Sequence, residues 1–183
     1  MKKSKVNLVT ALKGKLIEFP YIVNSLEKKE INFVNKLLLW INQSEAIFIN
    51  NNVSEVSELA GLRSKIIAPK SSDNKSMSIK KIQLKIAAES LFELQHIVLN
   101  VLTPLELKIE ECRELIRQLL QIVSQTKIIK YNQDLPFDSL INEVWQFIVS
   151  NDQLKAGAIK LKTSLSITDI QLLIADEVNL EDF

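Results

Sequence analysis

Apolar residues recur along most of this chain at helical spacing. Ile31, Val34, Leu38 and Ile41 follow one another at three- and four-residue steps, with Leu37, Trp40 and Phe48 widening the same face. That spacing predicts an amphipathic helix from about 27 to 49. Asn50, Asn51 and Asn52 are expected to end it, because Asn tolerates left-handed backbone. A shorter helix follows, with Ser54 as its expected N-cap and Val56, Leu59 and Leu62 on one side. The strongest pattern comes later. Leu84, Ala87, Leu91, Leu94, Val98 and Val101 alternate four- and three-residue steps, as do Leu105, Ile109, Cys112, Ile116, Leu119 and Val123. Stripes of this period belong to packed helix pairs. Between them, Thr103-Pro104-Leu105-Glu106 has the form of a capping box with proline at the first helical position. Two long helices, 78–102 and 104–126, are therefore expected, with a sharp bend between them.

A further helix is expected from about Asp138, its buried face built from Leu140, Ile141, Val144, Phe147 and Ile148. Beyond it, residues 158–167 alternate apolar and polar side chains, which is a strand pattern. The competing reading places a helix over 153–162 and another over 167–176, capped by Ser166 with Asp169 three residues on. Helices are preferred, because no other segment offers a strand partner. The fold class expected is all-α, an irregular bundle of about six to seven helices with a long central pair. Ala68 to Ser76 is the most polar, breaker-rich stretch, so 69–77 is read as an exposed loop between halves 1–68 and 78–183 of one domain.

Composition then removes several kinds of chemistry. The 183 residues are 46% hydrophobic and 25% charged, an ordinary globular mix. One cysteine (Cys112) and one histidine (His96) cannot supply the four soft ligands of a structural zinc site, nor a disulfide framework. Three glycines exclude glycine-rich phosphate loops. No cofactor or metal is expected, and no small-molecule substrate is inferred. The longest uncharged run, 94–105, is too short to span a membrane, and the Lys-rich start followed by Val6 to Leu12 makes a poor leader peptide. The expected location is the cytoplasm. The excess of Lys over Arg, with abundant Ile and Asn, reflects an AT-rich genome and not a function.

Few residues carry candidate chemistry. Glu93 and His96 form an E-x-x-H on a helix, but a single histidine cannot complete a di-iron site, so both are read as surface residues beside the Leu94 stripe. Cys112 sits on an apolar stripe and is read as core, since only His96 could serve it as a base, and only if the two long helices folded back on each other. Glu106, Glu110 and Glu114, with Arg113 and Arg117 beside them, read as a solvated face of weak ion pairs. Glu45 interrupts an apolar face and is expected to pair with Arg63; a carboxylate-based enzyme built on it is the weakest functional reading.

The net charge is only +1, yet charge is segregated. Residues 1–15 hold five lysines and no acid, and 164–183 hold five acids and no base. Arg63, Lys65, Lys70, Lys75, Lys80, Lys81 and Lys85 face a single acid, Asp73, within 63–85. Such a stretch can neutralise phosphates, so a nucleic-acid-associated regulator is the alternative reading. It lacks interleaved aromatics for stacking, and the expected 167–176 helix is too acidic to read DNA. The preferred reading is a non-catalytic helical adaptor or structural subunit that docks another protein chain, in a homo- or hetero-oligomer. Leu107, Leu115 and Ile122 form a second apolar seam on the 104–126 helix, and a helix apolar on two sides is central in a bundle or covered by another chain. Val178, Leu180 and Phe183 in the acidic tail are a second set of candidate anchors, expected to enter a partner's groove.

Overall fold

The computed structural model describes residues 2–69 and 78–183. Eight α-helices form among them: α1 Lys5–Glu27, α2 Phe33–Asn51, α3 Val56–Ile67, α4 Ile79–Glu89, α5 Leu91–Thr126, α6 Phe137–Ser150, α7 Lys155–Ser164 and α8 Ile167–Glu177. A short 3-10 turn, Leu180–Asp182, follows. The all-α expectation holds, with one helix more than the upper count. Residues 158–167 are helix α7, a turn at Leu165 and Ser166, and the start of α8; no strand forms among the described residues.

Three boundaries differ from the sequence pattern, each for a physical reason. The helix expected over 27–49 is two elements. The chain turns at 28–32, where the Lys29 amide donates to Leu26 and the Glu30 amide to Ser25, a Schellman closure of α1 with Lys29 left-handed at φ 53°. Ile31, which the pattern put on a buried face, is therefore fully exposed in that turn. The expected bend at 103–104 does not occur. Helix α5 runs through Pro104, whose ring and missing amide face solvent on the exposed side of the helix. The break falls earlier, at Ser90, whose hydroxyl donates to the Ile86 carbonyl while its own carbonyl accepts the Leu94 amide. Lastly, α3 begins at Val56 after Glu55, and Ser54 bonds the Glu55 carboxylate instead of capping the helix.

Two compact units are defined by their internal contacts: Asn7–Pro104, and Met1–Val6 with Leu105–Phe183. They part inside α5; the loop expected at 69–77 lies, but for Pro69, outside the described residues. In the first unit α2 packs on α3 and α4. Its core holds Leu12, Phe19, Leu37, Trp40, Phe48, Leu59, Ile66 and Leu94. Each fully buried side chain of this kind stabilises by about 1.5–3 kcal/mol. Trp40 meets the Phe19 ring edge-on at 5.0 Å and donates its indole N–H to the Lys15 carbonyl at 2.9 Å.

In the second unit α6 packs on α7 and α8, around Val144, Trp145, Ile148, Leu161, Ile170 and Ile174. Gly157 lets α7 approach α5, since a Cβ there would lie 2.9 Å from Leu119 Cδ2. Asp169 fixes the corner between α7 and α8. Its fully buried carboxylate accepts from the Ser166 amide, completing a capping box on α8. The same carboxylate accepts from the Ser4 hydroxyl and from the Lys5 and Val6 amides, so it also caps the start of α1. Lys2 Nζ donates to the carbonyls of Lys162 and Thr163 at 2.6 and 2.8 Å, closing the last turn of α7.

Each unit holds one tryptophan, which allows them to be followed separately. Asp169→Ala removes the acceptor of two helix starts and is expected to cost the second unit about 2–4 kcal/mol. Urea unfolding followed on Trp145, in a Trp40→Phe background, reads this directly. An unchanged midpoint would show that water replaces the carboxylate without loss.

Candidate functional site

Four regions carry the chemistry that the sequence singles out. The first is a groove in the first unit, about 490 Å³ in volume, between the end of α1, the turn after it, the start of α2 and the start of α4. Leu26, Phe33, Val34 and Leu84 give it an apolar lining, and Ile31 stands at its edge. Lys29, Lys80 and Lys81 supply exposed cations, while the lining acid, Glu30, is paired with Lys36 at 2.6 Å. The first turns of α2 and α4 both contribute to the wall, and neither start is capped by a side chain. Helix starts are electropositive, so they reinforce the lysines.

The second region is the Glu45–Arg63 pair. Glu45 is buried on α2, and Arg63 Nε donates to its carboxylate at 2.9 Å. The expected pair is present, and it ties α2 to α3. Arg63 is thereby removed from the free basic set. Lys65, Lys80, Lys81 and Lys85 are exposed, with Lys85 3.8 Å from Glu89, and Lys70 and Lys75 lie outside the described residues. Replacing Arg63 with Met leaves a buried carboxylate without its partner. The expected cost is about 1–3 kcal/mol in the first unit, seen as a lower urea midpoint in Trp40 emission in a Trp145→Phe background. No shift would mean that Glu45 reaches water when Arg63 is gone.

The third region joins α5 to the end of α8. Arg113 and Arg117 both donate to the Glu177 carboxylate, the Arg117 Nε contact measuring 2.6 Å, and Arg113 also reaches Asp176 at 3.4 Å. Arg117 contacts Glu110 and Glu114 as well, at 3.1 and 3.3 Å. The surface row of weak pairs is thus the outer part of a tertiary clamp. It anchors the acidic end of the chain, and the Tyr131 amide donates to the Phe183 carbonyl at 2.8 Å to hold the tail. Val178 and Phe183 are half-buried and Leu180 is exposed.

Hydrogen bonding from Arg117, and from Arg113 beside it, holds the Glu177 carboxyl below its usual range, with burial opposing them. Because the folded value is the lower one, the clamp's contribution is complete above the ordinary carboxylate value, about pH 4.3. It is lost as pH falls through the folded value. Wild-type stability is expected to decline more steeply below about pH 4 than that of Glu177→Gln, measured by urea midpoints on Trp145. Parallel declines would mean that Glu177 does not titrate against the two arginines.

The fourth region is the outer face of α5 within the second unit. Ile109, Cys112, Ile116, Leu119 and Val123 are buried, whereas Leu107 is 64% exposed, Ile122 42% exposed and Leu115 half-buried. No family model, curated protein or solved structure matches the chain. The geometry alone therefore bears on function. Cys112 is buried and its thiol is pushed above the usual range by that burial. Its only possible base, His96, is exposed and stacked on Phe92 at 5.9 Å. The two lie on α5 in different units. Glu93 is also exposed, and no three metal-binding side chains gather among the described residues. No described helix is long and apolar enough to cross a membrane. Sequence reasoning named Lys80 and Lys81 but missed the groove they border. Its signals were Ile31, an apolar residue out of place in a polar turn, and a lysine where a Schellman turn favours glycine.

Proposed function

We propose that this chain is a non-catalytic helical adaptor or structural subunit, working in the cytoplasm, that docks another protein chain. The observation that supports it best is the outer face of α5. One stripe of this helix is buried, and a second carries Leu107 and Ile122 exposed with Leu115 half-buried between them. Leucine and isoleucine side chains aligned along one regular helix and open to solvent mark a face that a partner can cover. Burying three of them on a partner would stabilise the complex by several kcal/mol before association costs. The exposed lysines at 65, 80, 81 and 85 keep nucleic acid as the competing partner.

A photo-crosslinking residue at position 107, with position 146, exposed on α6, as a polar control, tests this reading. Position 107 is expected to give a discrete protein adduct, from a second copy or another chain, and position 146 none. Ile122→Glu, at an exposed position, should abolish that adduct without moving the melting temperature. Equal labelling at both positions, or an adduct insensitive to Ile122→Glu, would sink the adaptor reading. So would submicromolar binding of duplex or single-stranded nucleic acid at about 0.15 M salt that is lost in a Lys80→Glu, Lys81→Glu, Lys85→Glu variant.

A further inference from the structure

We infer that the groove bordered by α1, α2 and α4 is a docking site for an acidic amphipathic helix of a partner protein. This rests on the adaptor reading and names the chemistry of the partner. Three features of the groove select that occupant. Its lining of Leu26, Phe33, Val34 and Leu84 is apolar, and a volume of about 490 Å³ admits a few large side chains and not a broad protein face. Side chains spaced i, i+3 or i+4 and i+7 on a helix deliver such anchors in a row. Next, Lys29, Lys80 and Lys81 border the lining, and the one acid in it is already held by Lys36. A ligand with acids flanking its apolar stripe meets complementary charge on the rim.

The turn itself gives the third feature. Lys29 occupies the left-handed position of a Schellman closure at φ 53°, a place where glycine costs nothing and lysine is strained by about 1 kcal/mol. Ile31 beside it is fully exposed. Neither residue serves the packing of its own unit. Together they put a cation and an apolar contact at the mouth of the groove. A nucleic acid would satisfy the lysines but leave the apolar lining wet. A fatty acid would fill the lining but carries one charge against three.

The test uses the full chain and fluorescence anisotropy with labelled model helices at about 0.15 M salt. One peptide carries leucines on one stripe flanked by Glu and Asp; a second replaces the acids by Lys. Dodecanoate and a single-stranded RNA oligomer complete the panel. The acidic peptide is expected to bind saturably and the basic one not. Lys80→Glu with Lys81→Glu should weaken binding about tenfold or more, and Ile31→Asp several-fold. Lys29→Gly is the decisive variant. It relieves the left-handed strain, so the protein should melt no lower than wild type while its peptide affinity falls several-fold. Absence of saturable binding, equal affinity for the basic peptide, or unchanged affinity in all three variants would overturn the proposal. Tighter binding of RNA or dodecanoate, lost in the same variants, would also overturn it and assign the groove to that class. The adaptor reading is tested at positions 107 and 122, which these variants leave intact, so failure here cannot imitate failure there.

Discussion

Four hydrogen-bond donors converge on the carboxylate of Asp169, and the organisation of the second unit follows from them. A buried carboxylate is costly unless its oxygens are satisfied. Here the partners are the first turn of α8 and the first turn of α1, elements more than 160 residues apart in sequence. Helix starts present amides with no partner inside the helix, and a carboxylate meets both that need and the dipole. One side chain therefore stabilises two helix ends and fixes where the N-terminal residues lie. Lys2 adds the complementary contact at the end of α7, where carbonyls are in excess. Of the five lysines in the first fifteen residues, Lys2 fastens this corner with its side chain and Lys5 with its backbone amide.

The helical character was legible because apolar spacing survives wherever a helix has one buried side. The capping box of Ser166 and Asp169 was legible too, being a contact within four residues. What could not be read was the second use of Asp169, because Ser4 and Val6 carry no local sign of a partner beyond residue 160. The error at Thr103 to Glu106 has the opposite cause. The local signal for a helix start was present in full, but the apolar stripe on either side of it is continuous in register. Burial of Val101, Leu102, Ile109 and Cys112 outweighs one missing amide bond on the exposed side. Ile31 was misplaced for a related reason: three-residue spacing cannot distinguish the last apolar residue of a turn from the first of a helix.

The groove was illegible because its parts come from two segments, 26–35 and 80–84, each unremarkable in isolation. The pairing of Glu45 with Arg63 was foreseen because a lone acid on an apolar face demands a cation, and arginines are scarce. The clamp on Glu177 was half-seen. Spacing along α5 put Arg113 and Arg117 on one side, but nothing in it announced that the far end of α8 arrives there. The tail was expected to seek a partner's groove, and the structure shows two of its acids and its final carbonyl engaged within the unit, with Leu180 left outside.

The three arginines and twenty lysines divide the work of positive charge. Every arginine is committed: Arg63 to buried Glu45, Arg113 and Arg117 to Glu177. A planar guanidinium fits a carboxylate in a fixed geometry and resists desolvation, so it suits a permanent tertiary contact. Lysine is a hydrated point charge on a flexible stem, better suited to a surface that exchanges water for a ligand. Lys29, Lys80 and Lys81 stand exposed around an apolar lining, and one of them occupies a backbone position that favours glycine. A chain with so few arginines has placed all of them where geometry is fixed. The exposed lysines around the groove keep positive charge there, as the proposed recognition of an acidic helix requires.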